Sequence, residues 1–122
     1  MERVISIRGA TQASENTTRG IKDAVSELLK EIIKQNKIKN EKIINIMFTV
    51  TCDLSAIQPA TVAREELNLK SIPMLCMQEM KVPKDLPRCI RVMINAYSEL
   101  PKENVKHIYL GGAENLRPDL ME

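Results

Sequence analysis

The chain has 122 residues, 43% of them apolar, with 18 lysines and arginines against 16 acids and a formal charge of +2. That length supports one domain with a single core, too small to enclose a deep cavity unaided, so a cleft between subunits is expected. Balanced charge and an aromatic content of 2% lack the basic stripe and stacking platform of nucleic-acid binders, and no apolar stretch is long enough to span a bilayer.

The opening MERVISIRGA has neither the apolar segment nor the cleavage site of a secretion signal, so the chain reads as cytoplasmic. Val4 to Ile7 predicts a first strand, with Gly9-Ala10-Thr11 turning the chain away and leaving Arg8 at the strand's end. From Thr17 to Gln35, Ile21, Ala24, Val25, Leu28, Leu29, Ile32 and Ile33 recur at the spacing of one helix face, with Asn16 or Thr17 as N-cap. Ile43 to Thr51 is apolar and β-branched enough for a central strand buried on both faces. Pro59 opens a short helix through Leu67 that carries Arg64. Ile72 to Gln78, Cys89 to Ala96 and His107 to Leu110 predict three more strands, the last broken by Gly111-Gly112. The order β-α-β-α-β-β-β gives an α+β fold: a mixed sheet of about five strands, with the long and the short helix packed on one face.

Arginine is the main chemical signal, because its planar fork of donors matches a carboxylate and keeps its charge at neutral pH. Arg8, Arg64, Arg91 and Arg117 are the candidates. Arg91 stands out, since strand alternation puts it with Cys89 and Met93, opposite Ile90, Val92 and Ile94, and a charge among apolar residues needs a partner, a ligand or solvent. Glu79 follows a strand and precedes a loop with Pro83 and Pro87; by itself it reads as a solvated carboxylate. Cys76 reads as a small core residue, and Tyr109 as a hydroxyl that needs a partner if buried. Cys52, Cys76 and Cys89 have no CxxC spacing, and one histidine cannot build a zinc site, so reduced thiols and no metal or cofactor are expected. No nucleophile motif, phosphate loop or dinucleotide fingerprint is present.

Five segments occur in a telling order: Ile7-Arg8-Gly9-Ala10-Thr11, then Pro73-Met74-Leu75-Cys76-Met77-Gln78-Glu79-Met80, Pro87-Arg88-Cys89-Ile90-Arg91-Val92-Met93, Tyr109, and Leu116-Arg117-Pro118-Asp119-Leu120. Together they resemble the monofunctional chorismate mutases of the Bacillus type, along nearly the whole chain. The resemblance implies a homotrimeric pseudo-barrel with sites at subunit interfaces and, as reaction, the cofactor-free Claisen rearrangement of chorismate to prephenate. It assigns Arg91 to the breaking ether oxygen, Arg8 and Tyr109 to the enolpyruvyl carboxylate, and Glu79 to the ring hydroxyl. Arg91, Glu79 and Arg8 are thus the implied catalytic set. Arg64, Met74, Leu75, Cys76, Leu116 and Arg117 complete the implied substrate site, with chorismate as the partner. Gln58, Thr61 and Leu75 stand where such proteins often carry an aromatic residue, a lysine and a threonine, which implies a less positive pocket and weaker binding. Two other readings remain open at this stage: a trimeric imine or enamine deaminase of related fold, and a non-catalytic module that binds a small dicarboxylate.

Overall fold

The computed structural model describes residues 1–115. Its elements are β1 (Arg3–Gln12), α1 (Thr18–Gln35), β2 (Ile43–Val50), α2 (Pro59–Glu66), β3 (Met74–Gln78), β4 (Cys89–Ser98) and β5 (Ile108–Tyr109), with short 3-10 turns at Asn40–Lys42, Lys102–Asn104 and Gly111–Asn115. The strands form one sheet in the order β3-β2-β4-β1-β5. β4 runs antiparallel to β1 and β2, and the outer pairs β1–β5 and β2–β3 are parallel.

The expected helices are both present. Thr17 is the N-cap of α1, its hydroxyl accepting from the Gly20 N–H at 2.9 Å. Asn16 instead ties down the loop before α2 by accepting from the Ser55 and Ala56 N–H groups. The apolar stripe of α1, with Ile21, Val25, Leu28, Leu29 and Ile32, packs on Ile5, Ile7, Ile46, Phe48, Ile90, Val92 and Ile94. α2 lies beside α1 and against β3, burying Ala60, Val62 and Ala63 in the same core. Both helices therefore cover one sheet face, and side chains of opposite parity are left on the other.

Two expectations are corrected. β1 does not end at Ile7; it continues through Gly9 to Gln12, so Arg8 lies mid-strand. Gly9 marks a close approach instead of a turn: a Cβ there would stand 2.7 Å from Ile32 Cδ1 and 3.0 Å from the Ile108 carbonyl oxygen. β2 is not the central strand either. That place belongs to β4, and β2 buries alternate residues while Met47 and Thr49 remain half-exposed on the open face. An apolar run cannot by itself distinguish a strand buried on both faces from one whose second face is merely greasy.

β5 is held to α1 by Asn36, the C-cap of the helix and nearly fully buried. Its amide donates to the Ile32 and Lys106 carbonyls, at 3.0 and 2.9 Å, and accepts from the Lys106 N–H at 2.8 Å. One residue later, His107 Nδ1 accepts the Arg8 N–H at 2.9 Å, covering a β1 group that lies just beyond the reach of β5.

Candidate active site

The open face carries the chemistry. In register across the strands, Met77, Thr49, Arg91, Ala10 and Tyr109 form one row. Leu75, Met47, Met93 and Arg8 form the next, which makes Arg8 a diagonal neighbour of Arg91. Beyond it Ser6, Asn95 and Asn45 join in a polar ladder, with Ser6 Oγ donating to Asn95 Oδ1 at 2.6 Å and Asn95 Nδ2 to Asn45 Oδ1 at 2.8 Å.

Glu79 emerges from the end of β3, its N–H donating to the Val50 carbonyl at 2.9 Å. This folds its carboxylate over the first row. Arg91 Nε lies 3.2 Å from Glu79 Oε1, with the guanidinium side chain 37% exposed and the carboxylate side chain 18% exposed. The contact is an ion pair without hydrogen-bond alignment: Arg91 Nε and Glu79 Oε2 are both buried and make no hydrogen bond. Thr49 Oγ1 and the Tyr109 hydroxyl share that condition. Buried polar atoms are normally satisfied, because each unpaired one costs its desolvation. Among the described residues these atoms belong to one row of the open face and to the Glu79 carboxylate beside it, a grouping of donors and acceptors suited to a polar ligand.

Around this row the walls differ. Tyr109 packs with Ala10, Ala113 and Leu86 in a small apolar cluster separate from the main core. Beside Glu79, a groove of about 360 Å³ runs between Thr51, Cys52 and Asp53 and the 80–87 loop. Cys89 sits below Arg91; burial pushes its thiol pKa up, against the pull of the Arg91 guanidinium. That favours the neutral thiol, so Cys89 does not compete with Glu79 for the Arg91 charge.

The candidate residues fall into two groups. Arg8, Glu79, Arg91, Tyr109 and Leu75 are on the open face, and the structure brings Glu79 and Arg91 into contact. Met74 and Cys76 alternate to the helix side, opposite Ile46 and Phe48, where both pack against the core. Cys76 lies near α2: burial raises its pKa, while a hydrogen bond with the Ala60 backbone and the charge of Arg64 act the other way. Arg64 is half-buried on α2, donating to Thr61 Oγ1 at 3.3 Å. Within one chain, then, Arg64, Met74 and Cys76 line the β3 edge and its helix, and do not share a face with Arg91. Leu116 and Arg117 lie outside the described residues. Sequence reasoning missed Thr49, whose only signal was its parity in a strand paired with the Arg91 strand, and pairing is invisible before the sheet is known.

Residues 4–120 match the family profile of chorismate mutase type I. The chain belongs to that family. It is 39% identical to chorismate mutase AroH of Bacillus subtilis over 114 residues, covering 93% of this chain and 90% of that one. To chorismate mutase AroH of Thermus thermophilus it is 40% identical over 118 residues, 96% of either chain. The fold is similar to that of a solved chorismate mutase from Clostridium thermocellum, with a TM-score of 0.86 and 43% identity over 89% of this chain and 96% of the other. The mixed five-stranded sheet with two helices is therefore the family's fold.

Proposed function

We propose that the protein catalyses the Claisen rearrangement of chorismate to prephenate, in the synthesis of phenylalanine and tyrosine. The observation that carries this reading is the Arg91–Glu79 pair, a guanidinium and a carboxylate held together at 3.2 Å yet left with unsatisfied buried atoms. A pericyclic rearrangement needs no nucleophile and no obligatory proton transfer. It gains from a compact conformer of the substrate and from charges aimed at the polarisation of the transition state.

Arg91 donates to the ether oxygen as negative charge builds there, and Glu79 accepts from the ring hydroxyl and offsets the positive character of the ring. Arg8 and the buried Tyr109 hydroxyl hold the enolpyruvyl carboxylate, which folds the side chain over the ring. An acceleration of about 10⁶ corresponds to roughly 8 kcal/mol, of which one well-placed donor supplies about 3 to 4. Conformer selection by Arg8 and Tyr109 contributes much of the remainder.

The split of the candidates over two places supports a site completed between chains of a homotrimer. Arg64, Met74 and Cys76, at the β3 edge of one subunit, join Arg91, Glu79, Arg8 and Tyr109 on the open face of its neighbour, with Leu75 on the rim. Apolar side chains on that face, such as Leu75 at 62% and Met77 at 41% exposed, suit burial by a second copy.

The deciding experiment is the loss of chorismate absorbance with purified protein, with prephenate verified by acid conversion to phenylpyruvate. Turnover is expected. A folded protein that leaves chorismate unchanged sinks the reading, and ammonia released from an α-imino acid would then identify a deaminase. Mixing Arg91→Ala with Arg64→Ala subunits tests the shared site: some activity should return on co-refolding, and none would return if each chain held a complete site.

A further inference from the structure

Every main-chain N–H and carbonyl of Arg88 and Cys89, the two residues at the start of β4, is pinned. The Arg88 N–H donates to Asp53 Oδ2 at 2.9 Å and its carbonyl accepts from the Ala13 N–H at 2.8 Å. The Cys89 N–H donates to Thr51 Oγ1 at 2.9 Å and its carbonyl accepts from the Thr51 N–H at 3.1 Å. Two side-chain bonds close the arrangement, from the Thr51 hydroxyl to Asp53 Oδ1 at 2.6 Å and from Arg88 Nε to the Ala13 carbonyl at 2.9 Å. Arg88 has a φ of 49°, in the left-handed region that a residue with a Cβ seldom occupies, so its conformation persists only because its surroundings hold it.

We propose that Thr51 and Asp53 are positioning residues for Arg91: a clasp that fixes where β4 begins and so where the Arg91 guanidinium stands against Glu79. The inference rests on the role given to Arg91 above. Arg91 follows Cys89 by one pleat, and its neighbours Ile90 and Val92 are locked in the core. A slip at Arg88 and Cys89 therefore reaches Arg91 through Cys89, its neighbour on the same face one pleat away. The clasp also joins the ends of β1, β2 and β4, and the same end of β2 supplies the carbonyl that holds Glu79.

The hydrogen-bond directions give the clasp a chemical signature. An ionised Asp53 can only accept, so the Thr51 hydroxyl must give it its single proton and turn a lone pair to the Cys89 N–H. An amide at position 53 cannot reproduce this. With its NH₂ toward the Arg88 N–H, two donors meet; with its NH₂ toward Thr51, the hydroxyl accepts from both the amide and the Cys89 N–H, and its own proton loses the acceptor that Asp53 supplied.

Misplacing a group that acts only in the transition state lowers kcat and spares KM. Thr51→Val, which keeps shape and loses the hydroxyl, is expected to cut kcat roughly tenfold with KM changed by less than about twofold, and Thr51→Ser to restore it. Asp53→Asn, at an exposed residue that should not prevent folding, is expected to act in the same direction, and the double variant to be no worse than the poorer single one. Unchanged kcat in folded Thr51→Val, a loss confined to KM, or additive effects would overturn the clasp. A second readout needs no substrate. The buried Arg91 Nε–H should give its own resonance in ¹⁵N-labelled protein, shifted or broadened in Thr51→Val and returned in Thr51→Ser; an unmoved resonance also overturns the proposal. If the wild-type protein fails to convert chorismate, the functional reading falls while this resonance still decides the clasp.

Discussion

Cys76 stands opposite Phe48 in the parallel pairing of β3 with β2, and Phe48 is fully buried in the core. The thiol therefore points to the helix side of the sheet, away from the Arg91 of its own chain. Its pKa is raised by burial, so it stays neutral near pH 7 and offers at most a weak hydrogen bond. Cys76→Ser preserves size and the ability to accept from the Ala60 backbone. Its turnover of chorismate should stay within about threefold of wild type, with stability lowered by about 1 kcal/mol or less in urea unfolding. A much larger loss of kcat with the fold intact would give the thiol a direct part in the reaction.

Arg91→Lys tests the opposite case. The ammonium keeps the positive charge but has neither Nε nor the planar fork, so it cannot face Glu79 and an ether oxygen together. A fall of about a hundredfold or more in kcat is expected, with a smaller change in KM, because the lost donor acts where charge develops. Steady-state kinetics on the purified variant measure this, and near-normal kcat would remove Arg91 from the centre of the mechanism.

How much of this was legible in the sequence depended on whether a signal was local. The α1 stripe, a cap at Asn16 or Thr17, Pro59 at the start of α2 and the alternation around Arg91 are local properties, and each is found, with Thr17 the cap of the two. Strand order and extent are not local. Gly9 reads as a turn because glycine commonly is one, and only the approach of Ile32 and Ile108, distant in sequence, explains a glycine inside a continuing strand. The site shows the same division. Arg8, Glu79, Arg91 and Tyr109 could be named from the ordered segments, while the contact of Glu79 with Arg91 and the unsatisfied Thr49 beside them follow from pairing of β4 with β2. The clasp at Thr51 and Asp53 was illegible for the same reason, since Asp53 and Arg88 meet only across the end of the sheet.

The crowding at Gly9 has a measurable consequence. Added as Gly9→Ala, a methyl would press on the Ile32 side chain, which can yield, and on the Ile108 carbonyl, which is backbone and cannot move without shifting β5. Overpacking of this kind costs about 1 to 3 kcal/mol, which should appear as a lowered Tm. Because β5 carries Tyr109, KM for chorismate should rise as well. A variant as stable and as active as wild type would mean that β5 floats freely against β1.

Asp53 links stability to acid pH. The hydrogen bond from the Thr51 hydroxyl, helped by the Arg88 N–H and the Arg88 charge, holds its carboxyl below the ordinary value of 3.8, against a smaller opposing effect of burial. A carboxyl depressed in the folded protein gives stability that is present in full above its unfolded pKa and is lost as pH falls through the lower folded one. The contribution of Asp53 should therefore be constant near neutrality and begin to fall only below about pH 4, and solvent exposure keeps it small. In urea unfolding across that range, Asp53→Asn should be less stable than wild type at pH 7, and the gap should close as the solution is made acid. A gap that stays constant down to pH 2 would mean that the carboxylate charge contributes nothing, and that any defect of the variant comes from the misplaced amide alone.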